Sequence, residues 1–219
     1  MAPMPRQGEN ISNPWLAIAL EDYEGHMGSD NVRQLEALSD LFRRALDLCI
    51  PESVAVLGVA GGNGLERVDS AVTKRIVGLD INACYLAAVR QRYSALPGLE
   101  LCCLDLADTH VTLTPVALVH TALVFEHTGL GRSLENALSL VAPGGRLSVV
   151  LQLPSEAERD VTPTRFASMQ AFRDCFVSID VSQFCRRLEE KGFRLVQQEQ
   201  RSLPDRKAFW LGIFAPGTR

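Results

Sequence analysis

The chain predicts an α/β fold, a doubly wound and mostly parallel sheet, and two features carry that expectation. From residue 53 onward, short β-branched runs alternate with stretches of helical spacing, the pattern of a parallel sheet with helices on both faces. The first run, Val54-Ala55-Val56-Leu57, flows into Gly58-Val59-Ala60-Gly61-Gly62-Asn63-Gly64, a loop with four glycines. Residues without a Cβ reach φ > 0 and let a ligand approach the backbone closely. The loop is expected to open a helix near 64–72, whose N-terminal N–H groups would face whatever is bound there.

Taken in order, residues 1–13 read as a mobile tail, followed by a partly apolar segment broken at Gly25 and Gly28. Val32, Leu35, Leu38, Leu41, Phe42, Ala45, Leu46 and Cys49 follow helical spacing, and Pro51 ends that helix. Strands are expected at 53–57, 75–80, 99–104, 116–121 and 146–152, with helices at 83–95 and 130–141. Pro97-Gly98 closes the first of these helices and Pro143-Gly144-Gly145 stops the second. Residues 153–191 read as irregular and partly helical. The apolar runs 193–201 and 208–215, separated by Leu203-Pro204-Asp205, should pair antiparallel at one edge of the sheet. The helix at 31–49 has a broad apolar face that must pack on the sheet or on a second copy, which leaves a homo-oligomer open.

With 219 residues, the chain suffices for one well-buried domain. We expect an N-terminal tail and lid at 1–30 and a single domain at 31–219. A net charge of -4 argues against general nucleic-acid binding, which usually needs a basic face. The first ten residues lack the apolar stretch of a secretory signal, and no run reaches membrane-span length. The expectation is a cytoplasmic protein without a membrane partner. Six cysteines are present, but none form a C-x-x-C pair or a Cys/His cluster. Adjacent Cys102 and Cys103 would point to opposite faces of a strand. Buried thiols and no metal site are expected.

Open parallel sheets bind ligands beyond the carboxyl ends of their strands, where strand order reverses. The second strand ends at Asp80, sixteen positions beyond Gly64, and the third ends at Asp105. An acid in the first position can accept hydrogen bonds from both hydroxyls of a ribose, and one in the second lies near an adenine amino group. Each acid alone reads equally as a helix or turn cap. Together with Gly61, Gly62 and Gly64 they read as a ligand site.

On these residues the chain resembles class I S-adenosylmethionine-dependent methyltransferases, of the methyltransferase type 11/12 kind, from about residue 50 to the C-terminus. Val56 to Gly64 lies over the family's V-L-D-x-G-x-G-x-G pattern, and Asp80 and Asp105 match the acids of its second and third strands. Leu123-Val124-Phe125-Glu126-His127 resembles the segment after the fourth strand, and Leu140 to Leu147 the L-x-P-G-G-x-L turn before the fifth. The resemblance implies a Rossmann-like, seven-stranded, mostly parallel sheet with an antiparallel last strand. It implies S-adenosylmethionine as cofactor and methyl transfer as the reaction. The implied cofactor-binding residues are Gly58, Ala60, Gly61, Gly62, Gly64, Asp80, Ile81, Asp105, Leu106 and Thr121. The sequence departs from the family at Gly58, where the first motif has an acid, at Ala60, its first glycine, and at Ala117, an aspartate of the fourth strand. The missing acid normally helps hold the cofactor's amino group, and Glu21, Asp22 and Glu24 are candidates to replace it.

Methyl transfer from a sulfonium is an in-line displacement that mainly needs alignment and exclusion of water. A general base is needed only for an acceptor protonated at neutral pH. Catalytic candidates are Glu126, His127, Tyr23 and His26, with Glu24 beside them. The alternative for Glu126-His127 is a solvated turn or helix cap, and for residues 21–27 a plain surface connection. Acceptor recognition is expected in 12–30 and 153–191, where Arg159, Arg165 and Arg173 could steer a carboxylate or phosphate. Phe166, Phe172 and Phe176 read as core. The acidic balance favours a small-molecule acceptor. Two other functions fit less well: a SAM-binding regulatory module without catalysis, kept open by Gly58 and Ala117, and a short-chain NAD(P) dehydrogenase. The latter needs Tyr-x-x-x-Lys, and Tyr23, Tyr85 and Tyr93 are followed at that spacing by Met27, Val89 and Pro97.

Overall fold

A computed structural model describes residues 13–154, 161–172, 175–204 and 206–217. Most of the expected tail at 1–13 lies outside them. A 3-10 turn at Pro14–Leu16 precedes α1 (Leu20–Met27) and α2 (Gln34–Cys49). The chain continues through β1 (Ser53–Leu57), β2 (Arg75–Asp80), α3 (Ala83–Arg92), β3 (Leu99–Cys103) and β4 (Val116–Ala122). It ends with α4 (Phe125–Thr128), α5 (Arg132–Ser139), β5 (Val141–Gln152), α6 (Val181–Glu190), β6 (Phe193–Ser202) and β7 (Ala208–Pro216).

The seven strands form one sheet in the order β3-β2-β1-β4-β5-β7-β6. β1 to β5 run parallel, and β7 pairs antiparallel with both β5 and β6. Successive strand residues point to opposite faces, and the chain exploits this by burying both. Val54 and Val56 join the core on the α2 and α3 side, while Ala55 and Leu57 join the core on the α5 and α6 side. The broad apolar face of α2 is covered by the sheet: Ala37, Leu41, Phe42 and Ala45 are buried in the first core. That sheet contact takes up the face whose partner the sequence left open.

Two expected elements differ. The helix near 64–72 is a single 3-10 turn, Leu65–Arg67, and Val68 is already extended. Gly64 is left-handed at φ 93°, and Val68, Asp69, Ser70, Val72 and Thr73 are all modest helix formers. Asp69 accepts the N–H of Ala71 instead. The glycine loop therefore presents no long helix dipole to a ligand. The second difference is at Pro143-Gly144-Gly145, which lies within β5 rather than before it. Leu140 already ends α5, and the β4–β5 register shifts between Val116 and Leu118. A Cβ on Gly145 would stand 2.9 Å from the carbonyl oxygens of Ala117 and Ala142, so the glycine permits the close approach of this bulge.

Candidate functional site

Strand order reverses between β1 and β4, so the crevice beyond their carboxyl ends is where an open α/β sheet takes a ligand. The chain leaves β1 at Gly58, with the N–H groups of Gly58 and Val59 both donating to the Leu79 carbonyl. Gly58 is left-handed (φ 69°), and a Cβ there would stand 2.6 Å from Val124 Cγ2, across the crevice. An acid at this position would be strained by the backbone conformation and would crowd Val124. Ala60 is also left-handed (φ 46°), an unusual state for a residue with a Cβ.

Asp80 holds this loop. Its carboxylate accepts the N–H of Ala60 at 2.8 Å and that of Asn82 at 2.9 Å. Burial raises its pKa, and these hydrogen bonds pull the other way. Asn82, not Asp80, caps α3, accepting the N–H groups of Cys84 and Tyr85. Asp105 accepts the N–H of Ala107 at 2.8 Å, closing the turn after β3.

A cavity of about 130 Å³ lies over these strand ends, lined by Gly58, Ala60, Asp80, Ile81, Asp105 and Leu106. Gly61, Gly62, Gly64 and Thr121 do not line it. A Cβ on Gly62 would meet the Tyr93 ring and one on Gly64 the Phe42 ring, so both serve close packing. Gly61 lies under an ion pair of Glu24 with Arg92, whose second guanidinium nitrogen reaches Glu24 at 2.9 Å. Arg92 also donates to the Gly61 carbonyl at 3.1 Å. Thr121 Oγ1 is buried without a hydrogen-bond partner among the described residues.

The other half of the cavity comes from outside the sheet. Trp15, Tyr23, His26, His127, Met169 and Phe176 line it. Phe176, read from sequence as core, is a wall of the site. The N-terminal segment is tied down along its length. Asn82 Nδ2 donates to the Trp15 carbonyl at 2.8 Å, and the Tyr85 hydroxyl to the Ile18 carbonyl at 3.0 Å. Asp22 accepts from the Ser168 hydroxyl at 2.5 Å, and His26 Nδ1 shares a 2.9 Å hydrogen bond with Thr164. Gly25 packs against the Phe166 ring, and the Arg165 guanidinium stacks over that ring, 5.0 Å from its centroid. Arg165 does not line the cavity; Arg159 and Arg173 lie outside the described residues.

Glu126 is not solvated: it is 1% exposed, and its Oε1 accepts the N–H of Gln152 at 2.9 Å. Burial lifts its pKa to about 7. His127 lines the cavity, and burial lowers its pKa to about 4, so the ring is neutral at pH 7. Burial first, then Tyr85, Asp80 and Glu24, push the Tyr23 hydroxyl well up, which keeps it protonated. No group of three or more His, Cys, Asp or Glu side chains suited to a metal occurs among the described residues. None of the described helices is long and apolar enough to cross a membrane.

What sequence reading missed is the tethering: Asn82 as the anchor of Trp15, and Arg92 as the partner of Glu24. The only signal for the first was an asparagine two positions beyond the strand-end acid.

No protein-family model matches the sequence, and no curated protein matches it. Solved structures do match. N-methyltransferase NodS from Bradyrhizobium japonicum WM9, in complex with S-adenosyl-L-homocysteine, superposes with TM-score 0.71 at 19% identity, covering 94% of this chain and 100% of that one. Magnesium protoporphyrin IX methyltransferase (ChlM) from Synechocystis PCC 6803, with the same molecule bound, gives 0.64 at 14%, covering 90% and 98%. The [4+2]-cyclase SpnF gives 0.65 at 13%, covering 86% and 84%, so this fold carries more than one chemistry. The chain has the fold of the class I S-adenosylmethionine-dependent methyltransferases.

Proposed function

We propose that this protein is an S-adenosylmethionine-dependent methyltransferase acting on a small molecule. The observation that carries the reading is the placement of Asp80 and Asp105, at successive strand ends, on one cavity with the Gly58–Ala60 loop. The residues fit the cofactor. Asp80 still has acceptor capacity beyond its two backbone hydrogen bonds, enough for the hydroxyls of a ribose. Asp105 has its second oxygen for an exocyclic amino group. Ile81 and Leu106 would supply apolar surface for a base.

The cofactor, when bound, supplies a methyl group already activated by its sulfonium. The protein is left to orient the acceptor and exclude water. Residues 14–30, tied to α3 and to 161–172, act as the lid. The cavity beneath it holds about 130 Å³. His127, neutral at pH 7, is the proton acceptor closest in character to a general base; Tyr23, held protonated, donates only.

Calorimetric titration with S-adenosylhomocysteine, beside Asp80→Ala, tests this. Micromolar binding that the variant loses supports the reading. Absence of binding, or equal binding by both, overturns it. Turnover of S-adenosylmethionine with any small acceptor separates an enzyme from a binding module.

A further inference from the structure

From the side chains that close the acceptor half of the cavity, we infer that the methyl acceptor is an amine, held through its cationic form in an aromatic box of Trp15, Tyr23, His127 and Phe176. This rests on the methyl-transfer reading above.

All four rings line the one cavity, and three pairs of them meet edge to face. The Trp15 and Tyr23 centroids are 5.6 Å apart at 68°, Trp15 and His127 5.0 Å at 88°, and His127 and Phe176 5.6 Å at 76°. The ring faces left open to the cavity by these edge contacts carry the negative end of the aromatic quadrupole. The rings come from three separate places, the N-terminal segment, α4 and the stretch before α6, so this arrangement is no by-product of one helix face.

The charges agree. Among the described residues, the lining holds two carboxylates, Asp80 and Asp105, and no lysine or arginine. His127 adds no positive charge at neutral pH, because burial lowers its pKa. With both carboxylates assigned to the cofactor, a carboxylate or phosphate acceptor would meet no counter-charge from the lining, whereas a cation meets ring faces and no like charge from it. Arg165, the described one of the three arginines expected to steer an anion, is stacked on Phe166 instead.

The chemistry balances. An amine enters as its ammonium, and its proton escapes to bulk solvent before water is excluded and attack begins. The nitrogen lone pair then forms the new nitrogen–carbon bond as the carbon–sulfur bond breaks, its electron pair remaining on sulfur. The positive charge of the sulfonium passes to nitrogen in the same step, so the product forms directly as an N-methylammonium in the box.

The test uses a cation that cannot be methylated. Choline is titrated into the full chain, with and without S-adenosylhomocysteine, beside its neutral isostere 3,3-dimethylbutan-1-ol and the anion 3,3-dimethylbutanoate. Choline is expected to bind about tenfold more tightly than the alcohol, with the anion weakest. Trp15→Phe keeps a ring face and retains the preference; Trp15→Leu and, independently, Phe176→Leu lose it, with far-ultraviolet circular dichroism confirming the fold of each. Equal binding of choline and the alcohol, tighter binding of the anion, or no binding of choline overturns the inference. Selective choline binding without S-adenosylhomocysteine binding would leave the box standing and remove methyl transfer; the converse would remove the box alone.

Discussion

The carboxylate of Asp80 accepts the backbone N–H of Ala60 at 2.8 Å, joining the end of β2 to the loop after β1 across twenty positions of sequence. Ala60 is left-handed, a state that costs a residue with a Cβ roughly 1–2 kcal/mol. The hydrogen bond is what holds it there. Asp80→Ala leaves two backbone donors unpaired and should destabilise the chain by about 1–2 kcal/mol. Urea denaturation measures that. Amide exchange at Ala60 and Asn82 should accelerate more than in β4; uniform exchange would show that the loop is held by something else.

Restoring the family acid should fail here. Gly58→Asp places a side chain at φ 69° and 2.6 Å from Val124 Cγ2, and a β-branched neighbour has little freedom to turn away. A loss of about 2 kcal/mol is expected. Adding Val124→Ala should recover part of it, because the overlap is relieved and the backbone strain remains. Full recovery would mean that the left-handed backbone costs nothing.

The pair of Glu24 with Arg92 covers Gly61. Both side chains are partly exposed, so their contribution to global stability should stay below about 1 kcal/mol. The local effect is larger. Glu24→Gln removes the ion pair, and Gly61→Ala drives a methyl group into it; each should speed hydrogen exchange in α1 while leaving β1 and β4 unchanged. Unchanged exchange in α1 for both variants would show that the ion pair does not hold α1 in place.

Glu126 should make stability depend on pH in an unusual direction. Its folded pKa, about 7, lies above its ordinary value of 4.5, so the folded state holds the proton more firmly. That stability is present below about pH 4.5 and lost as pH rises through 7. The buried histidines act oppositely. Burial lowers His120 to about 3 and His127 to about 4, so their stability is present above 6.5 and lost as pH falls. Glu126→Gln isolates the carboxyl. Relative to the unsubstituted chain, the variant should gain on the order of 3 kcal/mol between pH 4.5 and 7.5. A difference independent of pH would place Glu126 in a more solvated setting.

The sheet was legible because its signal is local. Val54 to Leu57 is apolar on both faces, as a strand covered on both sides must be, and the final two runs flank a turn too short for a parallel return. Asp80 and Asp105 could be placed at strand ends for the same reason. The helix after the glycine loop was misjudged because a glycine-rich turn predicts only that backbone departs from strand. Whether a helix follows depends on where the chain is pulled, and here Glu66 is taken up by Gly64, Ser39 and Tyr93.

The sequence by itself determined the sheet, its mostly parallel pairing and the two acids at the carboxyl ends of its strands, since periodicity and turn chemistry act within a few residues. Only the tertiary structure decided which glycines face the cavity and which pack against Phe42 and Tyr93. It alone also brought Trp15, Tyr23, His127 and Phe176 to one site. Those four span more than 160 positions, and contacts at such separation follow from the three-dimensional packing of the chain, on which no local pattern reports.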